Sequence, residues 1–171
     1  MFILIPLGGT GQRFKKNGYK KPKALINIFG KPILFWLLES LNLKNITTVC
    51  IPYNKEYSQY RFESLLCKNF PYINFTFIPL KNDTRGAAET TSIALKSIDL
   101  SDQPVLCLDS DNFYTIDIIS QWNGSNKVFT FSDSSDRTLF SYISEKSDGT
   151  ITDIAEKRKI SNLACTGAYG F

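Results

Sequence analysis

The chain has 171 residues, of which 43% are apolar and 13% aromatic, and its formal net charge is +4. This composition can fill a continuous hydrophobic core and excludes a disordered chain, while the mild charge gives no indication of a nucleic-acid-binding protein. The sequence has no histidine and no C-x-x-C pair, which argues against a zinc site and a Ser-His-Asp triad. Any bound metal is therefore expected on oxygen ligands.

The first two thirds of the chain alternate short apolar runs with helical patterns. The apolar runs predict strands at residues 2–7, 47–51, 74–79 and 104–109, and the patterns between them predict helices at 32–41, 55–68 and 86–97. This alternation predicts a Rossmann-like three-layer α/β/α fold with a mostly parallel central sheet. If the first strand is central, with the fourth strand beside it, the loops after Leu7 and Leu108 should face one crevice.

After residue 115 the pattern changes to that of a β-rich region. Strands are predicted at 127–131, 138–145 and 151–155, with a turn at 147–149 between the last two. No linker or repeat interrupts the chain, so we expect a single domain over 1–171 with an α/β core at 1–115 and a β-rich portion at 116–171. The apolar N-terminus is too short for a signal peptide or a membrane span, which predicts a cytoplasmic protein without a membrane partner.

A cluster of glycines follows the first predicted strand, in the sequence LGGTGQRF over residues 7–14. Glycines let a backbone approach a ligand closely and direct its N–H groups inward, as binding of a phosphate chain requires. The cluster lacks the Lys-Ser/Thr of a Walker A loop, and Phe14 occupies the third glycine position of a dinucleotide fingerprint. A plain tight turn is the alternative. The following stretch, 13–23, carries six basic residues and no acid, which favours an anionic ligand.

Two aspartates, Asp109 and Asp111, follow the fourth apolar run in the sequence VLCLDSDNFY over residues 105–114. Carboxylate oxygens two residues apart at a strand end are suitable ligands for Mg²⁺. The alternative is that these acids cap a following helix.

The order of the motifs resembles the start of the sugar-phosphate nucleotidyltransferase family. That family has the pattern G-x-G-x-R, then P-K after a variable basic loop, then an apolar strand, a G-K-P turn and a helix. The matching residues here are Gly9, Gly11, Arg13, Pro22, Lys23, Gly30, Lys31 and Pro32. The segments 109–114, 81–95 and 154–171 resemble later elements of the family, with a departure at Arg158, where proline is usual.

The resemblance implies an Mg²⁺-dependent enzyme that transfers an NMP from an NTP to a sugar 1-phosphate and releases pyrophosphate, as in nucleotide-sugar and polysaccharide biosynthesis. It makes 1–115 the nucleotide-binding core and 116–171 an acceptor-side portion. The implied catalytic residues are Arg13, Lys23 and Asp111, with Asp111 and Asp109 as metal ligands. The implied nucleotide-binding residues are Leu7, Gly8, Gly9, Thr10, Gly11, Thr84, Gly86 and Ala87. The implied acceptor-binding residues are Asn112, Glu156, Lys157 and Gly167.

Family members continue through further elements that include a second metal-binding aspartate, so we expect either that this chain is a fragment or a shortened form, or that its metal site is built differently. Two alternatives stay open at this stage. One is a cytidylyltransferase acting on a phosphorylated alcohol or amino-acid derivative, and the other is a non-catalytic nucleotide-binding regulatory module. RNA binding is disfavoured because aromatic and basic residues are not interleaved. The nucleobase, the acceptor and the oligomeric state are left open, with a homo-oligomer as one option.

Overall fold

The computed structural model describes residues 1–98 and 103–171. The strands of this part of the chain are β1 (Phe2–Leu4), β2 (Asn27–Ile28), β3 (Lys31–Pro32), β4 (Thr48–Asn54), β5 (Phe75–Leu80), β6 (Val105–Leu108), β7 (Lys127–Ser132), β8 (Ser141–Glu145), β9 (Ile151–Glu156) and β10 (Leu163–Gly170). The α-helices are α1 (Gln12–Lys16), α2 (Ile33–Ser40), α3 (Phe62–Asn69) and α4 (Ala87–Ser97). Among these described residues, no helix combines the length and the apolar character that crossing a bilayer requires.

The described strands other than the short β2–β3 hairpin form one sheet, and its order confirms the predicted topology. Strand β1 pairs in parallel with β4 on one side and with β6 on the other, and β5 extends the sheet beyond β4. The order of the parallel strands therefore reverses between β1 and β6. Strand β10 then joins β6 in the antiparallel direction, which gives the mixed sheet with a β-rich C-terminal portion that the sequence predicts.

Side chains alternate between the two faces of the sheet, and each face has its own core. Ile3, Ile5 and Leu106 belong to the larger core, which also contains buried residues of α2 and α3. The smaller core contains Leu4 and Cys107 and includes residues of α4. Because successive strand residues point to opposite faces, these two clusters are the two halves of an α/β/α sandwich.

One predicted helix is wrong. Residues 55–68 form a 3₁₀ segment, Lys55–Tyr60, and a separate helix α3, with Arg61 between them in the left-handed conformation at φ 50°. The reason is packing: Tyr57 and Phe62 are both almost fully buried, with ring centroids 4.9 Å apart. On one continuous α-helix, residues five apart point in different directions, so the break at Arg61 lets both rings enter one core.

The β-rich portion is a branched extension of the sheet. Leu163 and Ala164 of β10 pair with both β7 and β8, whereas Tyr169 and Gly170 pair with both β6 and β7. Strand β7 thus occupies one edge of β10, and β6 and β8 share the other. Since β10 is antiparallel to β6, the β8–β9 hairpin lies beyond the carboxyl end of β6, the sheet edge at which a ligand crevice is expected.

Candidate active site

The glycine turn after β1 packs against the start of α4. Leu7 continues the pairing with β4 through a bridge to Tyr53, and Gly8 is then buried. A Cβ atom added at Gly8 would lie 2.2 Å from Thr90 Oγ1 and 2.7 Å from Thr84 Oγ1. These hydroxyls are themselves 2.7 Å apart. The turn therefore requires glycine at position 8 because the two threonines directly support its backbone.

The two aspartates emerge from β6 at the same sheet edge. Asp109 is half-buried and its backbone N–H donates to Gly167 O at 2.8 Å, whereas Asp111 is exposed. Lys23 Nζ donates to Asp111 Oδ2 at 2.5 Å. Burial raises the pKa of Asp109, the neighbouring charge of Asp111 raises it further, and the Lys23 ammonium partly opposes both effects. The site thus holds two carboxylates that repel each other and one cation that offsets the repulsion.

One cavity of about 280 Å³ joins the two segments. Its walls contain most of the residues predicted for the nucleotide and the metal, namely Leu7, Gly8, Gly9, Gly11, Lys23, Gly86, Ala87, Asp109 and Asp111. The sequence did not identify four further wall residues, Pro6, Tyr57, Thr90 and Ser110. A helical projection of this segment would have indicated Thr90, because it lies one helical turn after Gly86. Tyr57 reaches the cavity through long-range packing and has no local signal.

Other predicted residues lie outside the walls of this cavity. Arg13 is exposed on α1, and Thr10 is half-buried. Thr84 lies beneath Gly8. Asp109 and Asp111 at the end of β6 form an acidic tip, and Asn112 lies beside it, where its Nδ2 donates to Thr166 O at 2.7 Å. Gly167 is buried against this tip and has φ +75°.

Glu156 and Lys157 lie at the end of β9, both exposed, with Lys157 Nζ 3.5 Å from Glu156 Oε1. Glu156 pairs with Ser141, the first residue of β8. Because Tyr142 pairs with Ala164 and Ile143 with Leu163, this is the end of the hairpin that is nearer to Gly167 along β10. The register thus turns this pair toward the sheet edge that carries the acidic tip, although neither residue lines the cavity.

Two other cavities differ from the first. One of about 430 Å³ shares Asp111 with it and is lined by Asn112 and by apolar side chains, namely Ile28, Phe29, Ile33, Trp36 and Phe113. A larger one of about 880 Å³ lies among β7, β8, β9 and β10 and contains none of the predicted site residues. Volume alone therefore does not identify the site. The cavity between the glycine turn and the acidic tip is distinguished by combining the predicted glycines with Lys23 and both aspartates.

The donor set at the acidic tip is compatible with Mg²⁺. Asp109 and Asp111 offer carboxylate oxygens, and Mg²⁺ in nucleotide enzymes commonly uses one or two protein carboxylates together with substrate phosphates. A cation beside Asp109 would offset the burial and the Asp111 charge that raise its pKa. Among residues 1–98 and 103–171, there is no group of three or more His, Cys, Asp or Glu side chains placed to hold a metal.

Solved structures of other proteins share this fold over nearly the whole chain. A nucleoside-diphosphate-sugar pyrophosphorylase from Vibrio cholerae RC9 matches 99% of this chain and 72% of its own length, at 25% identity and a TM-score of 0.80. The inositol-1-phosphate CTP transferase from T. maritima matches 99% of this chain and 69% of its own length, at 15% identity and a TM-score of 0.80. HddC from Yersinia pseudotuberculosis, complexed with GMP-PN, matches 99% of this chain and 75% of its own length, at 21% identity and a TM-score of 0.75.

The sequence itself matches the family described as nucleotidyl transferase over residues 3–171. This match covers almost the entire chain and confirms the resemblance found in the order of its motifs. The chain is therefore a nucleotidyltransferase and belongs to the nucleotidyl transferase family.

Proposed function

We propose that this enzyme transfers an NMP group from an NTP to the phosphate of a sugar 1-phosphate, with Mg²⁺ as cofactor and pyrophosphate as the second product. The observation that carries the proposal is the cavity of about 280 Å³ in which the glycine turn, Lys23 and two aspartates meet. A backbone turn with inward N–H groups suits a polyphosphate chain. Carboxylates in the same cavity suit the metal that accompanies such a chain.

In this proposal, the nucleotide occupies the space between the glycine turn and the start of α4. Gly8, Gly9 and Gly11 surround the triphosphate, and Thr10 completes the turn. Gly86 and Ala87 are small and exposed, so a flat base and its ribose can approach their backbone closely. Thr84 supports the turn from beneath, where its hydroxyl bonds to that of Thr90, and it lies just before the segment that holds the base. Arg13 extends from α1 as a second cation for the phosphates.

The chemical step is an in-line displacement at the α-phosphorus. An oxygen of the acceptor phosphate forms the new P–O bond, and the bond from the α-phosphorus to the oxygen bridging the β-phosphorus breaks, so that pyrophosphate leaves with its electron pair. The acceptor phosphate is already anionic and needs no histidine as a base. Lys23, whose ammonium lies at the acidic tip, stabilises the charge that builds on the α-phosphate. Mg²⁺ held by Asp109 and Asp111 would supply further positive charge to the phosphate oxygens.

We also propose that residues 1–115 hold the nucleotide and that 116–171 hold the acceptor. The support is the register that turns the end of β9 toward the acidic tip. Glu156 then accepts hydroxyl groups of the acceptor, Lys157 pairs with its phosphate, and Asn112 and Gly167 form the floor between the two substrates. The pairing of β10 with strands of both portions supports the assignment of a single domain.

The test is an assay of pyrophosphate release with ATP, CTP, GTP, UTP and dTTP, each combined with hexose 1-phosphates, inositol 1-phosphate and simple phosphorylated alcohols in the presence of Mg²⁺. Release with a hexose 1-phosphate, abolished by Asp111→Asn, supports the proposal. The matched control is Asp148→Asn in the β8–β9 turn, where the retained side-chain oxygen still accepts the Thr150 N–H. Release with CTP and inositol 1-phosphate alone would reassign the acceptor. Nucleotide binding that persists without Mg²⁺, with no pyrophosphate from any pair, would refute catalysis and indicate a regulatory module.

A further inference from the structure

Asn54, the last residue of β4, lies at a junction between several walls of the nucleotide cavity. It is 5% exposed, and its sequence neighbours gave no reason to assign it a function. We infer that Asn54 is a positioning residue that holds the glycine turn, Tyr57 and the segment 81–87 at the spacing that a nucleotide requires. This inference rests on the proposed function, because it concerns the affinity of the same cavity for an NTP.

The contacts of Asn54 reach three segments that each carry wall residues of the cavity. Its backbone N–H donates to Leu7 O at 3.0 Å, at the entry to the glycine turn. Its side-chain Oδ1 accepts the Glu56 N–H at 3.0 Å, and this bond fixes the start of the 3₁₀ segment that carries Tyr57. Its Nδ2 donates to Asp83 Oδ1 at 2.7 Å. One buried residue thus bonds to all three segments.

The bond to Asp83 acts where the chain leaves the sheet. The pairing of β4 with β5 ends at Asn54 and Leu80, so residues after 80 have no ladder bonds to hold them. Asp83 is exposed and lies three residues before Gly86, a wall residue of the cavity. The Asn54–Asp83 bond therefore tethers the approach to α4, and α4 in turn supports Gly8 through Thr90.

Glu56, whose N–H bonds to Asn54, also connects this group of contacts to the basic stretch. Lys15 Nζ forms an ion pair with Glu56 Oε2 at 2.6 Å. The residue after Glu56 is Tyr57, whose buried ring lines the cavity. The bond from the Glu56 N–H to Asn54 thus orders both the ring in the wall and the partner of a lysine that follows the glycine turn.

An asparagine suits this position for a chemical reason. A side-chain amide carries a donor and an acceptor in one plane, whereas an aspartate at the same place offers acceptors alone. Asn54→Asp would therefore keep the acceptor for the Glu56 N–H but place a carboxylate against Asp83. The added change Asp83→Asn restores a donor–acceptor pair, with the donor now on residue 83. The single and double variants differ in this contact and share the acidic residue at 54.

The chain contains a matched control at the other end of the same strand pair. Asn74 Nδ2 donates to Thr47 O at 2.9 Å and to Thr48 Oγ1 at 3.1 Å, where β4 and β5 begin. Asn74→Asp removes a side-chain amide that joins the same two strands, but away from the cavity walls. It therefore separates a general loss of sheet stability from a loss of spacing in the nucleotide cavity.

The experiment measures the Kd of each of ATP, CTP, GTP, UTP and dTTP for the wild-type chain and the variants, at a temperature well below every unfolding midpoint. We expect Asn54→Asp to weaken the best NTP by about tenfold or more, because the walls are no longer pre-organised. We expect the double variant to recover to within about threefold of wild type, and Asn74→Asp to stay within about twofold. In steady-state assays, the KM for the NTP should rise in Asn54→Asp while the KM for the acceptor stays unchanged.

Unchanged NTP affinity in Asn54→Asp would overturn the inference, as would a loss that Asn74→Asp reproduces or that Asp83→Asn fails to reverse. If Asn54→Asp does not fold, Asp83→Ala removes the same bond from the exposed side and must also weaken the NTP. A wild-type chain that binds no NTP would refute the proposed function and this inference with it. A wild-type chain that binds NTP while the variants bind equally well refutes this inference alone.

Discussion

Replacing Gly167 with alanine is expected to destabilise the fold and to disturb the acidic tip at the same time. Gly167 has φ +75°, a left-handed conformation that side chains disfavour. A Cβ atom there would lie 2.1 Å from Asn112 Nδ2 and 2.6 Å from Asp109 Oδ2. The substitution therefore adds a steric conflict with two site residues to the backbone strain.

The magnitude follows from separating these two contributions. The left-handed conformation costs a residue with a Cβ about 1–2 kcal/mol. Overpacking a well-filled site costs about 1–3 kcal/mol more. Gly149→Ala is the matched control, because Gly149 has φ +82° with nothing within 4 Å of the added Cβ, so it carries the backbone cost alone. Gly167→Ala should exceed this control by about 1–3 kcal/mol, which lowers the Tm of a chain this size by roughly a further 2–12 °C.

Urea unfolding of both variants and of the wild type gives the free energies of unfolding, and pyrophosphate release gives the functional effect. We expect Gly167→Ala to lose most of its turnover, because Asp109 and Asn112 must move to admit the methyl group. Gly149→Ala should retain wild-type turnover. Equal destabilisation by the two substitutions would show that the contacts of Gly167 with the acidic tip impose no packing constraint.

Three further predictions concern charge. Lys23→Ala should lower kcat by about 10²-fold while changing the KM for the NTP by less than about threefold, since the charge of Lys23 acts mainly in the transition state. An unchanged kcat in steady-state assays would show that Lys23 is misassigned. Hydrogen bonds, foremost that from the Tyr142 hydroxyl, lower the pKa of Asp133 to about 2. The ionised Asp133 therefore contributes stability above about pH 4, and this contribution is lost as the pH falls toward 2. Urea unfolding between these pH values should show a smaller pH dependence for Asp133→Asn, and an identical pH profile would contradict this assignment. Lys16, Lys20 and Lys21 are exposed lysines of the basic stretch. Neutralising all three should slow NTP association at low salt without changing kcat, which stopped-flow measurements at two salt concentrations would show. A salt-independent association rate in the wild type would exclude electrostatic steering.

The parallel half of the fold was predictable because its signals are local. Each apolar run is bounded by polar turns, and the handedness and order rules for parallel sheets leave few arrangements for such a series. The strand bounds moved by a few residues, as with β4, which extends to Asn54. The predicted helix over 55–68 failed because its break at Arg61 is imposed by the burial of Tyr57 and Phe62 in one ring cluster. That contact depends on tertiary packing and leaves no periodic signal.

The candidate site divides in the same way. Residues within the glycine turn and the acidic tip could be identified because their chemistry is concentrated in short motifs. Asn54 could not, because it supports a segment that is distant along the chain: its side chain bonds to Asp83. Thr90, which underlies Gly8, lies outside both motifs, and only a helical projection from Gly86 would have indicated it. An asparagine at the end of a strand suggests an ordinary turn residue until the fold shows which groups it bonds.

In the proposed function, strand β10 sets the spacing between the two substrates. Its C-terminal half pairs with β6, whose end carries Asp109, and its N-terminal half pairs with β8, which carries β9. Gly167 lies between these halves and contacts the acidic tip. The separation between the nucleotide cavity and the end of β9 is therefore set along a single strand. A change in acceptor preference is accordingly expected from substitutions in β8 and β9, which leave the pairing of β6 with β10 intact, whereas substitutions at Gly167 should affect both substrates.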